Sequence, residues 1–293
     1  MRAGIVLTFA SVLLLAAGCG SQQAGSGDEV AAAFYPIAYA AERVAPRANV
    51  ENLTPAGAEP HDLELSARDV ERVRDAKVVL YFGRGFMPAL EQAVQGRANA
   101  VDLLADQRLV KGVSEEGHDS ESEPASAELD PHVWLDPMRY AMIVRRIARA
   151  LGESNGAGGL VSELRQLDDE FRTGLADCKR RQIVTSHAAF GYLARAYGLE
   201  QIPLTGISPE AEPSAKAIEA LVDEVRNHGV TTVFFETLVS PKLAETVARE
   251  AGAQTAVLDP LEGLTADEID EGADYFSVMR ENLAALRKAL SCR

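Results

Sequence analysis

The chain predicts an α/β protein of two lobes, each an open, mainly parallel sheet flanked by helices, with one long helix joining them. From residue 30 onward, short apolar runs alternate with longer amphipathic stretches, which is the pattern of βα units around a parallel sheet. The alternation stops near the middle of the chain and then resumes. The length of 293 residues exceeds the roughly 100 to 200 residues of a typical domain and therefore suits two lobes.

Residues 1–18 have the pattern of a secretory signal segment. Arg2 precedes an apolar run from residue 5 to residue 17, which is too short for a permanent membrane-spanning helix. Cys19 follows the small residues AAG, and this arrangement resembles the lipobox at which bacterial lipoproteins receive a lipid. The polar residues that follow predict a lipidated tether over 19–29. Ordinary signal cleavage near Cys19 is the alternative.

Residues 30–135 are predicted to form the amino-terminal lobe. Its apolar and amphipathic segments follow one another as VAAAFY, PIAYAAERVA, NVENLTP, SARDVERVRDA, KVVLYFG, FMPALEQAVQG and NAVDLL. Residues 105–131 are instead rich in Glu, Ser, Asp and Gly and have almost no large apolar side chain. This composition indicates a mobile, acidic surface loop.

Residues 136–179 predict a helical segment that includes the helix between the lobes. After a Gly-rich break, apolar residues recur at helical spacing from Leu160 to Leu175. Residues 180–293 then predict a carboxyl-terminal lobe with four strands and their helices.

The chain is acidic, with 29 basic and 44 acidic side chains and a formal net charge of -15. Nucleic acid is therefore not expected as a partner. An acidic surface fits either solubility or long-range attraction of cations, so charge alone does not identify the ligand. Cys178 and Cys292 are expected to pair as a disulfide in an exported protein, with two free buried thiols as the alternative.

Three of the five histidines follow strand-like runs or end the acidic loop, with Asp or Glu close by. His187 follows IVTS, His61 lies in GAEPHDLE with Glu59, and His132 lies between two Asp-Pro pairs in ELDPHVWLDP. Asp259 follows TAVL in the second lobe. Because carboxyl ends of parallel strands meet at one crevice, these side chains are candidate ligands of a metal ion. A hydrogen-bonded structural histidine is the alternative for each ring taken singly.

The Asp-Pro pairs are expected to fix the direction of His132, with Trp134 packed beneath it as a core anchor. Either Asp130 or Asp136 could orient the ring from outside the ligand set. Two other histidines carry weaker signals. His118 lies among carboxylates in the acidic loop, and His228 precedes a glycine at a helix end.

Three imidazoles and one carboxylate make a closed tetrahedral set for zinc or a similar divalent ion. A hydrolytic zinc normally keeps a position open for water, so this set favours carriage over catalysis. A zinc hydrolase with Glu59 or Glu236 as base is an alternative, although the chain has no HExxH or GxSxG motif. A surface adhesin stabilised by metal is another.

Five separated segments resemble a known family. They are GAEPHDLELSARD (57–69), DPHVWLDP (130–137), TSHAAFGYLARAYGL (185–199), FFETLVSPKLAETVAREAG (234–252) and VLDPL (257–261). Together they are similar to the solute-binding proteins of zinc and manganese ABC importers, the cluster A-I lipoproteins. That family has two α/β lobes joined by one long helix, with the metal at their interface.

The resemblance implies a ligand set of His61, His132, His187 and Asp259, with Glu59 as an alternative or outer partner. Histidine rather than glutamate at the third position favours zinc, and manganese is the alternative. The resemblance further implies a non-enzymatic, monomeric protein outside the cytoplasm that delivers its ion to an ABC permease. It would be anchored to the cell membrane by lipid on Cys19, with a periplasmic protein as the alternative.

Overall fold

A computed structural model describes residues 29–112, 129–209 and 213–293. The predicted signal segment, the lipidation site Cys19, nearly all of the tether and most of the acidic loop, including His118, lie outside these residues. The described residues form two four-stranded parallel sheets flanked by helices, which confirms the predicted α/β class. Among them, no helix combines the length and the apolar character that crossing a bilayer requires.

The first sheet has the strand order β2-β1-β3-β4. Its strands are β1 (Glu29–Ala32), β2 (Asn49–Asn52), β3 (Val78–Tyr81) and β4 (Ala100–Asp102). All three pairings are parallel, with Val30 opposite both Val50 and Val78. The parallel order places the loops after these strands along one edge of the sheet.

Three helices accompany the first sheet. They are α1 (Tyr35–Val44), α2 (Ala67–Asp75) and α3 (Pro88–Ala93). A capping box fixes the start of α2, because the Ser66 hydroxyl accepts from the Asp69 amide and the Asp69 carboxylate accepts from the Ser66 amide. Proline at the first turn of α1 and of α3 lacks an N–H that would have no helical partner there.

Two helices, α4 (Pro137–Ala150) and α5 (Ala157–Gly174), form the predicted helical segment. Asp136 caps α4 by accepting from the amides of Met138 at 2.9 Å and Arg139 at 3.2 Å. Leu160, Leu164 and Leu167 of α5 are buried. The 18 residues of α5 lead towards the second sheet, as expected of the connecting helix. The predicted limits of the lobes stay predictions.

The second sheet repeats the plan of the first, with the order β6-β5-β7-β8 and all pairings parallel. Its strands are β5 (Gln182–Thr185), β6 (Glu200–Pro203), β7 (Thr232–Phe235) and β8 (Gln254–Val257). Its helices are α6 (Gly191–Tyr197), α7 (Ala215–Asn227), α8 (Lys242–Ala251), α9 (Ala266–Asp270) and α10 (Tyr275–Leu290). The four strands predicted for this lobe are therefore present.

Trp134 anchors the contact between the lobes. Its side chain is fully buried, with its ring centroid 4.9 Å from that of Phe34 in an edge-on arrangement. The indole Nε1 donates to the carbonyl of Pro260 at 2.7 Å, and the Tyr275 hydroxyl donates to the carbonyl of Trp134 at 2.7 Å. The tryptophan of the first lobe is thus hydrogen-bonded twice to the second.

The structure pairs Cys178, just beyond α5, with Cys292, just beyond α10, across a sequence separation of 114 residues. We expect that replacing both cysteines by serine lowers the free energy of unfolding by about 2 to 4 kcal/mol, because a long closed loop restricts the unfolded chain. Urea denaturation of the oxidised protein and of the variant measures this difference. Equal midpoints, with free thiols detected in the parent protein, would contradict the expected disulfide.

Candidate metal centre

The structure brings the three predicted histidines together. His61 lies in the loop after β2, His132 shortly before α4 and His187 two residues after β5. These rings and Glu262 each offer one ligand atom, and the four atoms all lie within 4.8 Å of one another. Topology explains part of this arrangement, because parallel strands direct their following loops to one edge of each sheet, and His61 and His187 lie in such loops of the two sheets.

The carboxylate of Glu262 lies at the centre of the cluster. Its Oε1 is 3.4 Å from Nε2 of His61, 3.1 Å from Nε2 of His132 and 3.3 Å from Nε2 of His187. The Nε2 atoms of His132 and His187 are 3.3 Å apart. His132 and His187 are fully buried and Glu262 is 1% exposed. Three ring nitrogens and one carboxylate oxygen therefore face a common point that is shielded from water.

Two further carboxylates orient the rings of His132 and His187 through the Nδ1 atoms, which face away from the cluster. Nδ1 of His187 is 2.6 Å from Oε1 of Glu236, and Nδ1 of His132 is 2.8 Å from Oδ1 of Asp130. A carboxylate only accepts hydrogen bonds, so each Nδ1 carries the proton, and Nε2 is the atom that presents a lone pair when the ring is neutral. Asp130, not the helix-capping Asp136, thus orients His132.

The backbone at the start of α6 packs closely against Asp130. A Cβ atom on Gly191, the first residue of α6, would lie 2.8 Å from Oδ2 of Asp130. The hydroxyl of Tyr192 donates to the carbonyl of Asp130 at 2.9 Å. The amino terminus of α6 therefore both leaves room for the orienting carboxylate and holds its backbone.

Asp259, the predicted carboxylate ligand, is not a member of the four-residue group. Its Oδ1 accepts from the amide of Leu261 at 2.6 Å, and its Oδ2 accepts from the hydroxyl of Thr237 at 2.9 Å. Burial raises the pKa of Asp259 to about 7. The carboxylate that the structure brings to the histidines is that of Glu262, three residues further along the same loop.

The prediction of Asp259 rested on its position directly after the strand-like run TAVL and on the family resemblance. The chain does not enter the crevice at that point, because Asp259 bonds back to its own turn and Leu261 takes a left-handed backbone conformation with φ of 56°. The signal for Glu262 was its position in LDPLEGL, an acidic residue in the same strand-end loop directly before a glycine.

Glu59 borders the cluster without belonging to it. Its Oε2 accepts from the amide of His61 at 3.0 Å. Burial and the neighbouring charge of Glu262 raise the pKa of Glu59 far above its usual range. The two neighbouring acids therefore differ in protonation, with Glu262 ionised and Glu59 protonated.

The carboxylates around the cluster also favour protonated rings at His132 and His187. Burial by itself favours a neutral imidazole, but the hydrogen bonds and charges of Asp130 and Glu262 outweigh it and raise the pKa of His132. Burial is outweighed in the same way at His187, where Glu236 and Glu262 raise the pKa well above its ordinary value. The pKa of Glu262 is held well below its usual range by the same rings, against the effect of burial.

The donor set fits a divalent ion. The buried Nε2 of His61 lies 3.4 Å from Oε1 of Glu262 but makes no hydrogen bond of good geometry among the described residues. A buried nitrogen in that situation is unfavourable unless something else binds it. Three imidazole nitrogens and one carboxylate oxygen are ligands of zinc in closed, four-coordinate sites. The geometry therefore suits holding an ion more than activating a water molecule on it.

The chain is similar to known proteins of zinc uptake. Residues 30–289 match the family described as zinc-uptake complex component A, periplasmic. The high-affinity zinc uptake system protein ZnuA of Bacillus subtilis is 34% identical over an alignment of 309 positions. The alignment covers 97% of this chain and 97% of the relative.

A second relative is longer than this chain. The zinc-binding protein AdcA of Streptococcus pyogenes is 36% identical over 284 residues, 88% of this chain but 55% of the relative. The chain thus spans little more than half the length of that protein.

A solved structure shows how far the fold is shared. The Zn(II)-bound ZnuA-like domain of Streptococcus pneumoniae AdcA superposes with a TM-score of 0.76 at 33% identity, over 90% of this chain and 99% of that domain. The match over residues 30–289 and this likeness show that the chain belongs to the family of the periplasmic component A of zinc-uptake complexes.

Proposed function

We propose that the protein is the extracytoplasmic solute-binding component of an ABC importer, which captures divalent zinc at the interface of its lobes and delivers it to the permease. One observation carries this proposal. A buried cluster of three Nε2 atoms and one carboxylate is assembled from both lobes, His61 and His132 from the first and His187 and Glu262 from the second. Relatives with zinc uptake or zinc binding in their names support it.

The donor types favour zinc over manganese. Imidazole nitrogen suits zinc, whereas manganese prefers carboxylate, carbonyl and water oxygens. In this cluster three of the four donors are nitrogen. Manganese is the alternative cargo within the same family.

Four of the residues are proposed to bind the ion, and two carboxylates orient the histidine rings. The neutral rings of His61, His132 and His187 provide lone pairs, and Glu262 provides negative charge that offsets part of the charge of the ion. Asp130 and Glu236 fix the rings and increase their basicity. Four protein donors leave little room for a reactive water molecule, so the arrangement supports binding and release rather than hydrolysis.

Anchoring and assembly complete the proposal. We expect lipid on Cys19 to hold the protein to the membrane outside the cytoplasm, and we expect a monomer that docks on its permease. The name zinc-binding lipoprotein given to AdcA of Streptococcus pneumoniae supports the lipid anchor. Release of the ion is expected to need the permease, because four buried donors hold it.

Competition titration of the metal-free mature protein tests the cargo. Zinc is expected to bind at least about 100-fold more tightly than manganese, because the donors are mainly nitrogen. Equal affinities, or tighter manganese binding, would contradict the assignment of zinc.

Thermal melts separate transport from a metal-stabilised adhesin. A carrier must survive empty, so the protein with excess chelator is expected to unfold cooperatively at a lower temperature than the zinc-loaded form. An adhesin that uses the ion only as a structural element is expected to be unfolded by chelator already at room temperature. That second result would overturn the transport proposal.

A further inference from the structure

We infer that Asp259 is a positioning residue of the metal site, whose carboxylate holds the turn that presents Glu262 without itself touching the ion. The inference rests on the proposed function and names a residue on which zinc affinity depends from outside the ligand set. It follows from the backbone of residues 259–262 and from the groups that hold this turn.

The turn contains an unfavourable backbone conformation. Leu261 has φ of 56°, in the left-handed region, and its side chain is fully buried. The Cβ atom makes this region unfavourable for residues other than glycine, and asparagine or aspartate are the usual exceptions. A leucine stays there only when surrounding contacts hold it, and such positions concentrate at functional sites.

The contacts that hold the turn are buried hydrogen bonds. The amide of Leu261 donates to Oδ1 of Asp259 at 2.6 Å. The amide of Asp259 donates to Oδ1 of Asn282 at 2.8 Å, and Nδ2 of Asn282 donates to the Asp259 carbonyl at 2.7 Å. The indole of Trp134 donates to the carbonyl of Pro260 at 2.7 Å. Asp259 is the residue that binds the strained position directly.

The next residue along the chain is the ligand. Glu262 follows Leu261 immediately, and its Oε1 lies 3.1 to 3.4 Å from the three histidine nitrogens. If the amide of Leu261 lost its acceptor, the backbone could relax towards the right-handed region, and rotation there would swing Glu262 away from the rings. Zinc affinity is therefore coupled to Asp259 through one hydrogen bond and one peptide unit.

Direct ligation by Asp259 makes a different prediction. Both of its carboxylate oxygens already accept from protein donors, the Leu261 amide and the Thr237 hydroxyl. Asparagine keeps an oxygen that can accept from Leu261, but it is a poor replacement for an anionic ligand. Substitution by asparagine thus distinguishes positioning from ligation.

The experiment uses the full mature chain with Asp259→Ala, Asp259→Asn and, as a matched control, Asp274→Ala. Asp274 accepts from the amide of Ser277 at 2.8 Å at the start of α10, so its loss removes a similar hydrogen bond outside the metal cluster. Each protein is titrated with zinc, and the visible absorption of bound cobalt(II) records the number and geometry of the ligands.

We expect Asp259→Ala to weaken zinc binding about 10- to 100-fold, the range typical of residues that support metal ligands, and to change the cobalt spectrum. Asp259→Asn is expected to restore the parental spectrum and most of the affinity, and Asp274→Ala to leave both unchanged. Should Asp259→Ala fail to fold, Asp259→Ser, whose hydroxyl is a weaker acceptor for the same amide, is expected to give an intermediate loss.

Several outcomes would overturn the inference. An Asp259→Ala protein with parental affinity and spectrum shows that the turn does not need this carboxylate. An Asp259→Asn protein as impaired as Asp259→Ala shows that the anionic charge, and hence ligation, is what matters. A parent protein that binds neither ion overturns the proposed function and this inference with it, whereas a binding parent beside an unaffected Asp259→Ala overturns the inference alone.

Discussion

Replacing His187 with alanine is expected to weaken zinc binding by more than about 100-fold, beyond the loss typical of residues outside the ligand set. His187 is one of the four proposed donors, and its Nδ1 is held 2.6 Å from Glu236. Removing the ring therefore deletes a ligand and leaves the buried Glu236 carboxylate without its histidine partner. Isothermal titration of the metal-free variant measures the affinity.

Stability must be followed in the same variant. A buried carboxylate that loses its partner is expected to lower the free energy of unfolding by about 1 to 3 kcal/mol. Circular dichroism establishes that the titrated protein is folded. His228→Ala is the matched control, because His228 is a half-exposed helix-end histidine that contacts Glu224 at 3.0 Å. Undiminished zinc affinity in a folded His187→Ala protein would contradict the ligand assignment.

Zinc affinity is expected to fall steeply as the pH is lowered. Zinc needs neutral rings, whereas the pKa values of His132 and His187 are raised in the empty cluster. Below those pKa values each displaced proton lowers the apparent affinity about tenfold per pH unit, so displacement of two gives about 100-fold per unit. Competition titrations between about pH 5.5 and pH 7.5 cover the range in which unperturbed histidine titrates.

The stability of the empty protein is expected to change in the opposite direction. A ring whose pKa is higher in the folded than in the unfolded state contributes stability that is fully present below the unfolded value, about 6.5. That contribution is lost as the pH rises through the raised folded value. Lowering the pH thus strengthens the contribution of these rings to the empty fold while it weakens zinc binding.

Proton release provides an independent check of the same prediction. Calorimetric titrations in buffers of different ionisation enthalpy are expected to show protons leaving the protein as zinc enters. A zinc affinity that does not change over this pH range, together with no proton release, would contradict the idea that protons and zinc compete for the same nitrogens.

Much of the fold could be predicted because each element carries a local signal. Apolar runs such as IVT before His187 and TTVFF before Glu236 mark buried parallel strands, and leucines at helical spacing mark α5. Parallel pairing then gathers the loops after the strands at one edge of each sheet, so topology places His61 and His187 at such edges without any knowledge of side-chain packing. His132 joins them from the segment before α4, which strand order alone does not place.

The fourth donor could not be predicted in this way. Which acidic residue of LDPLEGL reaches the cluster depends on the left-handed conformation of Leu261, and leucine gives no local sign of such a conformation. That conformation is fixed by Asp259, by Asn282 from α10 and by Trp134 from the other lobe. Contacts between residues far apart in sequence therefore decide which carboxylate reaches the histidines.

The buried indole has a further consequence for how the protein can be observed. The chain contains one tryptophan, and its ring centroid lies 5.1 Å from that of His132. The same indole donates to the carbonyl of Pro260, two residues before Glu262. Indole emission responds to the polarity and hydrogen bonding of its surroundings, so the tryptophan emission of the unlabelled protein comes from a single place, beside the candidate metal site. Trp134 is therefore expected to serve as a native optical probe of zinc loading and release.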